Sequence, residues 1–250
     1  NGSKHEMENH VEGDYIFTVT GVSDSLYNIT FMFARFKMSS SSNQLGTIIS
    51  IDTDKQVTDE DIEAKLFSQL ITVDLQMEMY RSGKIKSIEG ADRMIDKMAG
   101  AAGDFDEFTK ELIRESMRSE FSNESLAKSF EQMTFIYPTE SIKKGESWTN
   151  TFEGELSSQN TWTLDEMTKN DILISGKSTI KFVNADADLE MNLTGDMTSN
   201  VVTSTDHGFV KSMSSTSVAK GHSIMHNMND LKVPTSITSN ITYKIEKHVQ

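Results

Sequence analysis

The sequence predicts an α+β protein: one or two strongly curved, half-barrel-like antiparallel β-sheets, with a helical insert packed on the concave face. Three observations lead there. Over most of the chain apolar and polar residues alternate, the period of a strand with one buried face. Between positions 91 and 133 the period becomes that of a helix. The strand-like runs are joined by short Gly, Asn or Asp turns, which makes neighbours antiparallel, because parallel neighbours need long crossovers. Twisted sheets of many strands curl, and a curled sheet that stays open must cover its apolar inner face. The insert is expected to do so.

The polar start NGSKHEMENH reads as a linker or trimmed terminus, so residues 1–12 are set apart from the fold. Residues 13–250 then form a single β-rich domain, or two related halves, 13–136 and 137–250. DYIFTVTGV and LYNITFMFARFKMSSS alternate clearly, with Tyr27, Ile29, Phe31 and Phe33 on one face of the second run. TIISID, Thr47 to Asp52, is a third strand. At Thr58 a capping-box pattern with Asp61 opens a helix of about three turns that carries Ile62, Leu66 and Leu70. ITVDLQMEMY and KIKSIEG return to strand around Ser82-Gly83.

Met94, Ile95 and Met98 then make a helical stripe that ends at Gly100–Gly103. Asp104 with Glu107 reads as the next cap, ahead of Phe105, Phe108, Leu112, Ile113, Met117 and Phe121. A third piece carries Leu126, Phe130 and Met133. Such a Met and Phe stripe reads as core rather than cofactor box, since Met fills irregular gaps. Tyr137-Pro138 ends the insert, because the residue before proline is pushed out of the helical region. Only strand signals follow, with a turn expected between GFVKSMSSTSVAK and HSIMHNM. GKIKS at Gly83–Ser87 and GFVKS at Gly208–Ser212 look alike, either as equivalent hairpins of two halves or as common hairpin chemistry.

The formal charge is −14, from 38 acidic and 24 basic residues. That field repels nucleic acid and anionic membrane surfaces, and no basic run offsets it. The chain has no cysteine, which excludes disulfides, thiol nucleophiles and thiolate metal sites. No stretch has the form of a signal peptide, which leaves a cytosolic or a processed protein.

Candidate chemistry is sparse. HEMENH, His5 to His10, spaces its histidines by five where the zinc-protease pattern needs four. His222 and His226 have the helical spacing but fall in a strand-like run, where they would lie roughly 13 Å apart. Asn184, Asp186, Asp188 and Glu190 resemble the start of a calcium loop, yet Leu189 and Gly195 stand where Gly and Glu are required. Trp148 and Trp162 read as core rather than as a sugar platform. No metal and no cofactor is expected.

One stretch carries a resemblance. In YPTESIKKGESWTNTFE, Tyr137, Pro138, Ile142, Lys143, Gly145, Glu146, Ser147 and Trp148 resemble the Tyr/Phe-Pro…Lys-x-Gly-Asp/Glu-Ser-Trp signature of a family of exported, uncharacterised lipoproteins of Bacteroidetes-type bacteria. The resemblance implies export to the cell envelope, periplasmic or outer-membrane-anchored, after removal of a signal peptide. It also implies a lipid anchor on an N-terminal Cys that these 250 residues do not contain. It transfers no catalytic residue. Tyr137, Pro138, Gly145 and Trp148 are expected to be structural.

Three functional readings stand. The first is a non-catalytic envelope protein, a structural or protein-interaction module. The second is a carrier that holds a lipid or other hydrophobic molecule under an apolar lid of Phe105, Phe108, Leu112 and Met117. The third is an acidic hydrolase. The partners expected are accordingly a hydrophobic small molecule or an envelope protein, with no nucleic acid, and with membrane contact only through the anchor. A continuous apolar cavity would favour the carrier. A filled core with an exposed apolar patch would favour the interaction module.

Overall fold

The computed structural model describes residues 4–58, 61–154, 156–185 and 188–246. It contains two antiparallel sheets and a few helices, and the chain divides into two compact units, Asn1–Ala127 and Lys128–Gln250. The division falls inside a helix rather than at Tyr137-Pro138. Among the described residues neither sheet closes into a barrel.

The first unit is built on β1 (Met7–Val22) and β2 (Leu26–Ser42), a long hairpin turned at Ser23, whose amide donates to the Leu26 carbonyl at 2.9 Å. β3 (Gly46–Asp52) and β4 (Leu75–Tyr80) pair with different parts of β2, and β5 (Ile85–Glu89) completes the order β1-β2-β4-β5. The linker reading of residues 1–12 is corrected here, because Met7–Glu12 pair with Lys37–Ser42 as strand. Four of these six side chains are polar and all but that of Glu12 are exposed, in an end of β1 that nonetheless belongs to the sheet.

Ile29, Phe31, Phe33 and Phe36 of β2, Leu75, Met77 and Met79 of β4, and Ile85 and Ile88 of β5 form the buried face. Helix α1 (Ile62–Ser68) is capped by Asp61, whose carboxylate accepts from the Ala64 amide at 2.9 Å. Thr58 is therefore not the cap. The helix is also shorter than expected, passing into a 3-10 turn at Leu70–Thr72. α2 (Ala91–Gly100) buries Met94, Ile95 and Met98 as its stripe predicts. α3 (Glu107–Phe121) is capped by Asp106, not Asp104, with the Thr109 amide donating at 2.8 Å.

α4 (Asn123–Thr134) straddles the boundary of the units. The second unit is a six-stranded meander of β6 (Ser147–Phe152), β7 (Leu156–Met167), β8 (Asp171–Ala185), β9 (Leu189–Ser204), β10 (Val210–Met225) and β11 (Leu231–Lys244), in sequential order. Trp162, Ile174, Val201, Val210 and Met213 pack with Ile136 in one cluster, and Ile180, Leu193 and Ala219 form another. Gly176 lies opposite Trp162, and a Cβ there would sit 2.5 Å from the indole, so the glycine is the space the ring occupies. The turn expected at Gly221 does not form. A Cβ at Gly221 would come within 2.1 Å of the Asn192 carbonyl oxygen, so the glycine serves the close approach of β9 and β10, and the strand runs through it.

The two look-alike segments share a positive-φ glycine but not a turn: three residues separate the strands at Gly83 and four at Gly208. Gly83 and Gly208 both have positive φ, 87° and 73°, and the strands on either side meet through Tyr80 N to Lys84 O at 2.8 Å and Ser204 N to Phe209 O at 2.9 Å.

Candidate interaction edge

β1 has a single strand neighbour, β2, among the described residues. Tyr15, Phe17 and Val19 lie opposite Phe33, Phe31 and Ile29 and share their face. The Tyr15 ring meets Phe33 at 4.9 Å between centroids, and Phe17 stacks on Phe31 at 5.6 Å. Phe31 and Phe33 are buried, whereas Tyr15 is 37% exposed, Phe17 40% and Val19 44%. Ile16, on the opposite face, is 53% exposed. The apolar face of this sheet therefore continues to its edge and comes out into solvent there.

Charge divides β1 into two parts. Glu8, His10, Glu12 and Asp14 occupy the first half, and no charge follows from Tyr15 to Val22. Arg35 of β2 holds Glu12 at 3.1 Å and Asp14 at 2.8 Å. Hydrogen bonds from His10 and then Arg35 keep the Glu12 carboxyl below its usual range, and Asp14 raises the Arg35 guanidinium. Two register shifts bracket the uncharged part. Between Asp14 and Tyr15 the extra residue is Ala34 of β2, and between Val19 and Gly21 it is Thr20 of β1. Tyr15–Val19 is the regular segment between them.

The lid residues are placed differently from expectation. No α3 residue is fully buried, and Phe105, Phe108 and Leu112 are exposed, Phe108 at 74% and Leu112 at 55%, with Met117 half-buried. α3 packs beside α2 and reaches the sheet through Phe121, which meets Phe33 and Phe67 edge-on. The space over the second sheet that comes closest to a pocket is a shallow depression of about 700 Å³ on β6–β9. Thr149, Thr151, Thr161 and Thr179 line it with Lys177, Asp196 and Met197, so its wall mixes hydroxyls and charges with apolar atoms.

The signature residues act as a strap. The Tyr137 hydroxyl donates to the Gly208 carbonyl, and the Trp148 indole donates to the Ile136 carbonyl at 2.9 Å. Ile136 is thereby pressed into the Trp162 cluster. Gly145, at φ 84°, makes the turn, its amide donating to Leu164 O at 2.7 Å while Leu164 N donates to Glu146 O at 3.1 Å. Pro138 follows directly as the strap leaves the cluster.

The histidines stay apart. His5 meets Ser42 Oγ at 2.8 Å, His10 meets Glu12 at 2.7 Å, His226 meets Asp230 at 2.6 Å, and His222 is exposed in β10. Among the described residues no group of three His, Asp or Glu could hold a metal. Asp186, the centre of the calcium-like run, lies outside the described residues. Sequence reasoning missed the β1 edge, though a signal existed: sixteen strand residues contain no Lys, Arg or Pro, the usual guards of an edge.

A family model described as a family of unknown function (DUF6263) matches residues 24–210. No curated protein matches the chain, and no solved structure does.

Proposed function

The chain belongs to this family of unknown function, and within it we propose that the protein is a non-catalytic protein-interaction module of the cell envelope that docks partners along the edge of β1. The observation that carries the reading is the apolar ladder Tyr15, Phe17 and Val19, exposed on a strand with one open side. Such an edge offers backbone donors and acceptors together with alternate side chains, the two components of strand addition. The filled clusters around Trp162 and Leu193 favour this reading over a carrier, which needs an apolar space for its cargo. The envelope location rests on the signature stretch from Tyr137 to Trp148 alone.

The test places a photo-crosslinking residue at Thr18 in the protein expressed in its native host, with Thr238 on β11 as the control. A discrete protein adduct at Thr18 and none at Thr238 supports docking at β1. The absence of any protein adduct at Thr18 overturns it. A lipid adduct formed instead at Phe108 would return the argument to the carrier.

A further inference from the structure

We propose that the strand docking on β1 is β1 of a second copy, paired antiparallel about Phe17. The proposal rests on the interaction reading above and names its partner. A two-fold contact between identical edges requires a self-complementary segment. Tyr15–Val19, the regular stretch between the two register shifts, is one. Pairing about Phe17 sets Phe17 against its own copy, Tyr15 against Val19 and Ile16 against Thr18. Aromatic–aromatic and aromatic–β-branched pairs are favourable cross-strand partners. The faces also match: Tyr15, Phe17 and Val19 all share the face of Phe31 and Phe33, and Ile16 and Thr18 share the other. The apolar face of one sheet would thus run on into that of its copy.

Charge selects this arrangement among the alternatives. Two chains of formal charge −14 repel, so contact is favoured where the strand is neutral. About Phe17, Asp14 comes opposite Thr20 and Glu12 opposite Val22, both uncharged, and Glu8 runs past the end of the partner's β1. Pairing about His10 would set Glu8 against Glu12. Parallel pairing in register would set Glu8, Glu12 and Asp14 each against itself. Like charges directly opposite are destabilising. The bulge at Thr20 ends the ladder on one side and Asp14 ends it on the other, so the contact closes as a dimer rather than growing.

The ladder is short. Its area falls well below the standard interface of ~1,600 Å², so the dimer is weak, with a dissociation constant on the order of 10–100 µM. Salt should tighten it several-fold by screening the mutual repulsion.

Sedimentation of the full chain over a concentration series reads the association directly. The geometry is read by electron-spin distances, because a cysteine-free chain takes a single label at each introduced Cys. Antiparallel pairing separates a residue from its copy by about 6.8 Å for each step away from Phe17. Labels at His10→Cys and Glu8→Cys should therefore report about 48 and 61 Å between backbone positions. Val19→Lys should abolish association with an unchanged melting temperature, while Ile48→Lys, at an exposed position of β3, should leave it intact. Equal short distances at both labels, or a Val19→Lys protein that dimerises like the parent, overturn the proposal. A chain that stays monomeric while Thr18 still yields a protein adduct in cells overturns self-pairing and leaves the interaction reading standing. Loss of the Thr18 adduct as well removes both.

Discussion

The two long outer strands, β1 and β11, solve the same problem in opposite ways. Each ends a sheet, and each exposes apolar side chains, Ile16 and Val22 on β1, Leu231 and Ile237 on β11. β11 carries Lys232 near its start, Lys244 at its end and Pro234 opposite His222. Proline has no amide to offer an incoming strand, and an edge lysine would have to lose its water. β1 has neither residue. The difference teaches that exposed hydrophobicity alone does not mark a docking edge. What marks it is exposed hydrophobicity with no lysine or proline along the strand.

The first way to break the comparison is to damage a core and watch the edges. Trp162→Ala removes the largest buried side chain of the second unit and should cost ~3–5 kcal/mol in denaturant unfolding. The monomer–dimer constant should stay the same in native buffer, since the edge of β1 lies in the other unit. Gly176→Val drives a side chain into the Trp162 ring and should cost ~1–3 kcal/mol in the same assay.

The comparison is sharpened by exchanging the guards. Pro234→Val with Lys232→Thr restores a donor and removes a charge on β11. Stability should change by less than ~1 kcal/mol, and sedimentation should show association, now through β11, that persists when Val19→Lys is added. If the double variant stays monomeric in the Val19→Lys background, Pro234 and Lys232 do not act as guards.

The smallest effect is acidic. The folded Glu12 carboxyl is held below its usual value near 4.5, so its contribution is present above that value and is lost as the pH falls through the depressed one. The protection factors of the β1 amides near Glu12, measured against the intrinsic exchange rate at each pH, should fall below about pH 4.5, while β10–β11, whose paired strands carry only lysines and a histidine as ionisable groups besides Tyr243, should show no matching carboxylate step.

Much of this was legible in the sequence. Alternation found the strands, and period 3.6 found α2, α3 and α4. What it could not tell is which helix is covered. The stripe Met94, Ile95, Met98 is buried and the stripe Phe105, Phe108, Leu112 is not, although both have helical spacing. Periodicity reports that a face is apolar, and burial depends on what lies against it. Asp61 and Asp106 displaced the caps expected at Thr58 and Asp104, because a cap is chosen by backbone geometry at the last non-helical residue. Gly221 misled for a related reason: the same residue type serves a turn and a close strand approach. For the candidate site, the relevant signal lay in the residues missing from β1, which a search for motifs does not register.

The strap at Tyr137 also bears on how the second unit forms. Every strand pairing in the meander joins neighbours in sequence, so each closes a short loop at small entropic cost, and pairing can spread from hairpin to hairpin. The bond from Tyr137 to Gly208 spans 71 residues and needs the β9–β10 turn already in place. It belongs to the last stage of folding. Tyr137→Phe should therefore leave the refolding rate nearly unchanged and speed unfolding, which makes the strap a determinant of how long the folded unit lasts rather than of how quickly it is reached.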